Sequence, residues 1–189
     1  MLPQNNDVVP RELFVTTKYS SNIFAASLVL NFLLKEVIMV IGYRSFPNGF
    51  SVVVLEGTQT DPKYLISDRY TIPKSTNWPE SLSWVRKQIA EIHTRHKVKA
   101  VCLKTIEPMA MKKSKERLQI EGVIQEYCFS ELGKVPSVKI KSQLKRDIKD
   151  FKEPARYLQK VIAEKDHLEV LKHNNYQEAA LAAISVLPA

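Results

Sequence analysis

Val37-Ile38-Met39-Val40-Ile41-Gly42-Tyr43-Arg44 is the stretch that decides the fold of this chain of 189 residues. The run is apolar and β-branched, too short for a capped helix, and closed by the turn signal Ser45-Phe46-Pro47-Asn48-Gly49, so it reads as a central strand over about 37–44. Beyond the turn, Phe50 to Leu55 forms a second strand, joined to the first as a hairpin through Asn48-Gly49. Tyr64 to Ile72 makes a third after Thr60-Asp61-Pro62. Three antiparallel strands therefore precede the first helix.

Helical signals begin at Asn77-Trp78-Pro79-Glu80, with proline in the first turn and Leu82, Val85, Ile89 and Ile92 at helical spacing up to about Lys97. Val98 to Leu103 reads as a short buried strand. A second helix spans about Lys113 to Leu132, burying Ile120, Val123, Ile124, Tyr127 and Cys128, and stops at Gly133. Val135 to Ile140 is the fifth strand, and Pro154 to Glu164 and Tyr176 to Leu187 are the last helices. The alanines of the final helix let it approach a sheet closely. This order predicts an α/β (α+β) domain: a five-stranded mixed sheet, order 3-2-1-4-5, flanked by helices, with strands four and five parallel to strand one through right-handed crossovers. A doubly wound dinucleotide fold needs a helix between the first strands and a glycine-rich phosphate turn, and neither is present.

Charge points to a class of partner. Lys and Arg number 28 against 20 Asp and Glu, a formal net charge of +8, which favours a polyanion, most often nucleic acid. Within residues 1–36 the charges cancel, Arg11, Lys18 and Lys35 against Asp7, Glu12 and Glu36, so the excess lies in residues 37–189. The apolar run Ile23 to Leu34 falls short of the roughly 20 residues a bilayer needs, so no membrane partner is expected. Residues 1–36 are expected to be an N-terminal apolar appendage or arm, and 37–189 the folded domain. Cys102 and Cys128 have neither metal-ligand spacing nor a secreted framework around them and read as reduced core residues of a cytoplasmic protein.

From Met39 onward the chain resembles the RuvC-type Holliday-junction resolvases of the ribonuclease-H-like superfamily. Val40-Ile41-Gly42-Tyr43-Arg44 is similar to that family's first-strand motif, apolar-apolar-Gly-apolar-Asp, and Ala100-Val101-Cys102-Leu103-Lys104 to its fourth-strand motif ending in glutamate. Leu144-Lys145-Arg146 resembles a Val-Lys-Lys element, and Glu178-Ala179-Ala180-Leu181-Ala182 the final Asp-Ala-Leu-Ala helix. The resemblance implies a ribonuclease-H-like fold in which acids from these places gather two magnesium ions to clamp the scissile phosphate and activate water. Here Arg44 and Lys104 stand at the first two acidic positions and only Glu178 keeps its sign. A degenerate site without metal or other cofactor is therefore expected, with Glu178 neutralising Arg44 and Lys104 if the three converge; the bland reading leaves both cations as strand-end charges reaching solvent. Glu107 and Asp68 are the candidate displaced acids of a divergent magnesium-dependent nuclease. Glu107 lies three positions after Lys104, which on a pleated strand points it to the opposite face unless the chain has turned at Thr105. His93 and His96 read as surface or edge residues of a helix, and a lone His-x-x-His is weak evidence for metal.

Basic segments carry the rest of the functional reading. Lys112, Lys113, Lys115 and Arg117 open the helix after strand four, and Lys141, Lys145, Arg146 and Lys149 follow strand five. In the resembled fold both segments flank the cleft that holds a duplex or junction, so these eight are the expected nucleic-acid-binding residues, with DNA the expected partner. Such phosphate contacts are blind to sequence and sensitive to salt. Trp78, Trp84 and Tyr70 are candidates for base stacking, core packing being the alternative. The preferred reading is a catalytically silent nucleic-acid-binding module, a pseudoenzyme. Its alternatives are the divergent nuclease and a protein-interaction module with the N-terminal segment as a homodimer or partner contact.

Overall fold

The computed structural model of the chain describes residues 38–109, 114–148 and 174–189. The N-terminal appendage, Lys112, Lys113, Lys149 and the helix expected over 154–164 lie outside the described residues. Among the described residues nine elements follow one another: β1 (Met39–Phe46), β2 (Gly49–Gly57), β3 (Pro62–Thr71), α1 (Trp78–Arg95), β4 (Ala100–Lys104), α2 (Lys115–Ser130), β5 (Ser137–Lys139), α3 (Lys141–Asp147) and α4 (Asn174–Ile184). The sheet order is β3-β2-β1-β4-β5, with β1–β2 and β2–β3 antiparallel and β4 and β5 parallel to β1, as the order of elements requires. Among the described residues no helix is long and apolar enough to cross a membrane.

The sheet is covered on both faces, which is why its inner strands read as nearly unbroken apolar runs. Ile41, Tyr43, Val52, Val54, Val101 and Leu103 pack on one side against Val85, Ile89 and Ile92 of α1 and Ile120, Ile124 and Cys128 of α2. On the other side Val40, Val53, Leu55 and Cys102 meet Leu144 of α3 and the stretch Ala179 to Ile184 of α4. Both cysteines are free and buried, one in each core.

Local chemistry sets the element ends. Asn77 caps α1, its Oδ1 accepting the Glu80 N–H at 3.0 Å while Glu80 Oε2 accepts the Asn77 N–H at 3.3 Å. At the end of α2, Gly133 takes φ +59° and returns its own N–H and that of Lys134 to the carbonyls of Phe129 and Cys128. β1 runs two residues past Arg44, because Ser45 and Phe46 pair with Phe50 and Gly49 and leave Pro47-Asn48 as the turn. α3 has no counterpart in the sequence reading. It is seven residues long and mostly charged or polar, begun where Gln143 Oε1 accepts the Ile140 N–H at 2.9 Å.

α4 packs backbone against backbone on β1. A Cβ at Gly42 would lie 2.0 Å from the Ala179 carbonyl oxygen and 2.5 Å from the Ala183 nitrogen, so helix backbone rests on strand backbone. His93 corrects a second expectation. It is buried rather than at the surface, and its Nε2 meets the Tyr43 hydroxyl at 3.0 Å. Burial, with Lys134 and His96 nearby, pushes its pKa down to about 4.

Gly42→Ala is expected to destabilise the fold by about 3 kcal/mol or more, since neither contacting backbone atom can move aside. Gly122→Ala, in mid-α2 with nothing within 4 Å of the added carbon, should stabilise by about 0.5–1 kcal/mol; urea melts of the two variants check both signs. For His93 the unfolded chain binds more protons between its ordinary value of 6.5 and the folded value of about 4, so stability is full above that window and falls as pH drops through it. The loss is up to about 3 kcal/mol. His93→Phe should lower stability at neutral pH and flatten that slope, measured as thermal midpoints from pH 7 to 4.

Candidate functional site

Pairing register places one residue from each strand in a single row across the sheet. Arg69 faces Ser51, Ser51 faces Arg44, Arg44 faces Lys104 and Lys104 faces Lys139. Because Gly42 and Cys102 lie against α4, strand alternation turns Arg44 and Lys104 to that same face. Four cations therefore share one level at the carboxyl ends of the parallel strands, and each has its own partner. Arg44 Nε pairs with Glu178 Oε2. Lys104 Nζ lies 2.6 Å from Glu107 Oε1, and Lys139 Nζ 3.1 Å from Asp147 Oδ2. The Arg69 guanidinium sits 4.2 Å over the Phe46 ring.

Arg44, Lys104 and Lys139 are interior or largely buried cations rather than strand-end charges reaching water, whereas Arg69 is exposed. Lys104 is 1% exposed and also donates to the Thr105 carbonyl at 2.8 Å. Glu107 reaches it because the chain turns at Thr105, whose N–H donates to the Lys139 carbonyl at 3.1 Å; the alternation that would send Glu107 to the opposite face ends there. Burial works to raise the Glu107 carboxyl, but Lys104, the Lys141 N–H (2.9 Å) and the charge of Arg44 outweigh it and hold it below the usual carboxylate range. Asp147 is held low in the same way, burial being outweighed by Lys139 and Arg146. Arg44 Nη1 and the Ser51 hydroxyl have no hydrogen-bond partner among the described residues.

The opposite face holds a second polar cluster, centred on Glu121. Its carboxylate is buried and accepts from Ser45 Oγ at 2.6 Å, Thr105 Oγ1 at 2.6 Å and Arg117 Nε at 3.1 Å. Glu121 belongs to the buried stripe of α2 beside Ile120 and Ile124, where an acid looks misplaced until Arg117, one turn earlier, is read as its partner. That i,i+4 pair was the signal in the sequence. Arg117 is thereby turned inward, with Ser45 Oγ at 3.2 Å as a second acceptor.

The remaining basic positions divide clearly. Lys134 donates to the Val98 carbonyl and Lys139 to Ser185, so both serve the fold. Lys115, Lys141, Lys145 and Arg146 are exposed, and Lys141 and Lys145 have no ion-pair partner among the described residues. Trp78, Trp84 and Tyr70 pack half-buried against the α1/α2 core; Tyr70 stacks on Phe50 at 5.0 Å and Trp78 Nε1 donates to Gln119 at 2.6 Å.

The donor set does not suit a divalent metal. Magnesium takes about six hard oxygen ligands at about 2.1 Å. Of the candidate acids, Glu107 and Glu178 each carry a cation, while Asp68 pairs across from Val52 on the α1/α2 face. No group of three His, Cys, Asp or Glu side chains that could hold a metal is present among the described residues.

A sheet of this order, with α4 laid across Gly42 and the site at the ends of β1 and β4, is a ribonuclease-H-like fold. Several solved structures share this fold. The structure is similar to RuvC of Thermus thermophilus in complex with a Holliday junction substrate, with TM-score 0.62 and 15% identity over 78% of this chain and 91% of that one. Another structure of Thermus thermophilus RuvC gives 0.63 and 15% over 78% and 92%, and the yeast mitochondrial Holliday junction resolvase 0.55 and 10% over 77% of each chain. No family model and no curated protein sequence matches the chain.

The Arg44–Glu178 contact predicts energetic coupling. Arg44→Met and Glu178→Gln should each destabilise, each leaving a largely buried partner unpaired, and the double variant should cost about 1–2 kcal/mol less than their sum. Urea denaturation of the four proteins measures it, and simple additivity would contradict the pairing.

Proposed function

We propose that this chain binds nucleic acid, DNA foremost, as a non-cleaving ribonuclease-H-like module. The observation that carries the reading is the division among its basic residues. Arg44, Lys104 and Lys139 of the sheet row are neutralised within the fold, whereas Lys115, Lys141, Lys145 and Arg146 stand exposed around the carboxyl ends of the parallel strands. Ligands of open α/β sheets collect at those ends. Solvated lysines there release counterions when they meet phosphates, which gives affinity without reading bases. Lys112, Lys113 and Lys149 extend the same two segments in sequence. Arg117 is assigned to the fold, given its inward pairing with Glu121.

The non-cleaving part of the proposal is supported by the donor set. Glu107 and Glu178, the acids nearest the expected metal position, are each held by a cation, and Asp68 is on the other face. A four-way junction is the first ligand to test, because a similar structure is a complex with one. Phe129 and Val135, 68% and 82% exposed, favour a second reading as a protein-interaction module.

Fluorescence anisotropy with a labelled four-way junction and a matching duplex separates these readings. Affinity should fall by more than about tenfold between about 50 and 200 mM salt. Lys141→Glu/Lys145→Glu/Arg146→Glu should weaken binding by at least about tenfold with the thermal midpoint unchanged. With magnesium present the junction should stay intact. Absent or salt-independent binding would reject the proposal in favour of the second reading.

A further inference from the structure

We infer that Arg44 and Lys104 are built-in counter-cations that hold the acids of this centre together without metal, and that the centre would become a divalent-cation site if the charge of those two residues were inverted. The inference goes beyond nucleic-acid binding and does not depend on it.

The geometry is that of two acids brought in from separate elements onto two facing strand positions. Glu178 comes from α4 and Glu107 from the loop after β4, while Arg44 and Lys104 are direct neighbours in the β1–β4 register. Adjacent strands lie about 4.8 Å apart, so the cations stand side by side with a carboxylate against each. Arg44 and Lys104 are register neighbours, and Glu107 also feels the charge of Arg44, so the two pairs lie in one cluster.

Two cations against two carboxylates leave the centre neutral, as burial requires. The Lys104 and Arg44 side chains are 2% and 13% exposed, so bulk water stabilises neither charge well. A divalent ion entering this centre would add uncompensated positive charge beside a guanidinium and an ammonium, and both acids would have to leave their partners to reach it. Inverting positions 44 and 104 reverses the balance. Four carboxylates would then face one another from β1, β4, the following loop and α4, and hard oxygen donors in that number are what magnesium and manganese bind.

The test compares the native chain, Arg44→Asp/Lys104→Glu, and the neutral control Arg44→Met/Lys104→Met, by thermal unfolding and Mn²⁺ electron paramagnetic resonance in EDTA and in about 10 mM MnCl₂. The native midpoint should move by less than about 1 °C between the two conditions, with no bound-manganese signal. The charge-inverted variant should be strongly destabilised in EDTA and recover by more than about 4 °C with manganese, showing a bound signal. The methionine control should be destabilised without recovery. Lys104→Glu alone, a milder change, should show a weaker form of the same recovery.

Manganese bound by the native chain and lost in Glu107→Gln would overturn the inference. So would a charge-inverted variant that responds to manganese no more than the methionine control, or that stays unfolded with it.

Discussion

The missing side chain at Gly42 is the constraint on which this structure turns. With only a hydrogen there, the Ala179 carbonyl and the Ala183 N–H of α4 come against the backbone of β1, and no other residue leaves that space. The helix answers in kind, offering alanine at 179, 180, 182 and 183. This contact fixes how far along β1 the helix lies, and so brings Glu178, the residue before Ala179, to Arg44, two positions beyond Gly42. A bulkier residue at position 42 would lift α4 and part that ion pair before disturbing any other.

Charge is arranged around the contact by the sheet's own register. Facing positions on β1, β4 and β5 are all basic, with Arg69 of β3 in the same row beyond Ser51, an arrangement that like-charge repulsion would disfavour if the facing three were left bare. Glu178, Glu107, Asp147 and the Phe46 ring each take one cation, and three of those partners arrive from helices or loops packed on or beside the sheet ends. On the reverse face Glu121 ties the end of β1, the start of the loop after β4 and the first turn of α2 through Ser45, Thr105 and Arg117. The carboxyl ends of the parallel strands are thus braced from both sides by buried polar groups. The helices beside them carry exposed positive charge, which is where a phosphate backbone can reach it.

Much of this was legible in the sequence because it depends on periodicity and turn chemistry. The apolar run ending at Arg44, the Asn48-Gly49 hairpin, the Asn77–Glu80 start of α1 and the alanines of α4 gave the order of elements, and order limits a mixed sheet to few topologies. Positions 44 and 104 were legible as departures from a motif, and 178 as the acid that keeps its sign. What stayed hidden depended on partners distant in sequence or on where a strand stops. Glu107 joins the cluster only because β4 ends at Lys104, and alternation gives no sign of that end. His93 is taken inside by Tyr43, fifty positions away. α3 is one short helix in a charged run, with Leu144 its only buried residue, too little to set a period. Arg117 looked like its basic neighbours until Glu121 was seen to be buried.

Side-chain cations hold both Glu107 and Glu178. Anomalous diffraction at the manganese edge, on crystals of the native chain soaked in MnCl₂, tests this most directly. The expected map has no anomalous peak within reach of either carboxylate, with Arg44 on Glu178 and Lys104 on Glu107. A peak coordinated by both acids, with the guanidinium and ammonium displaced, would contradict the account.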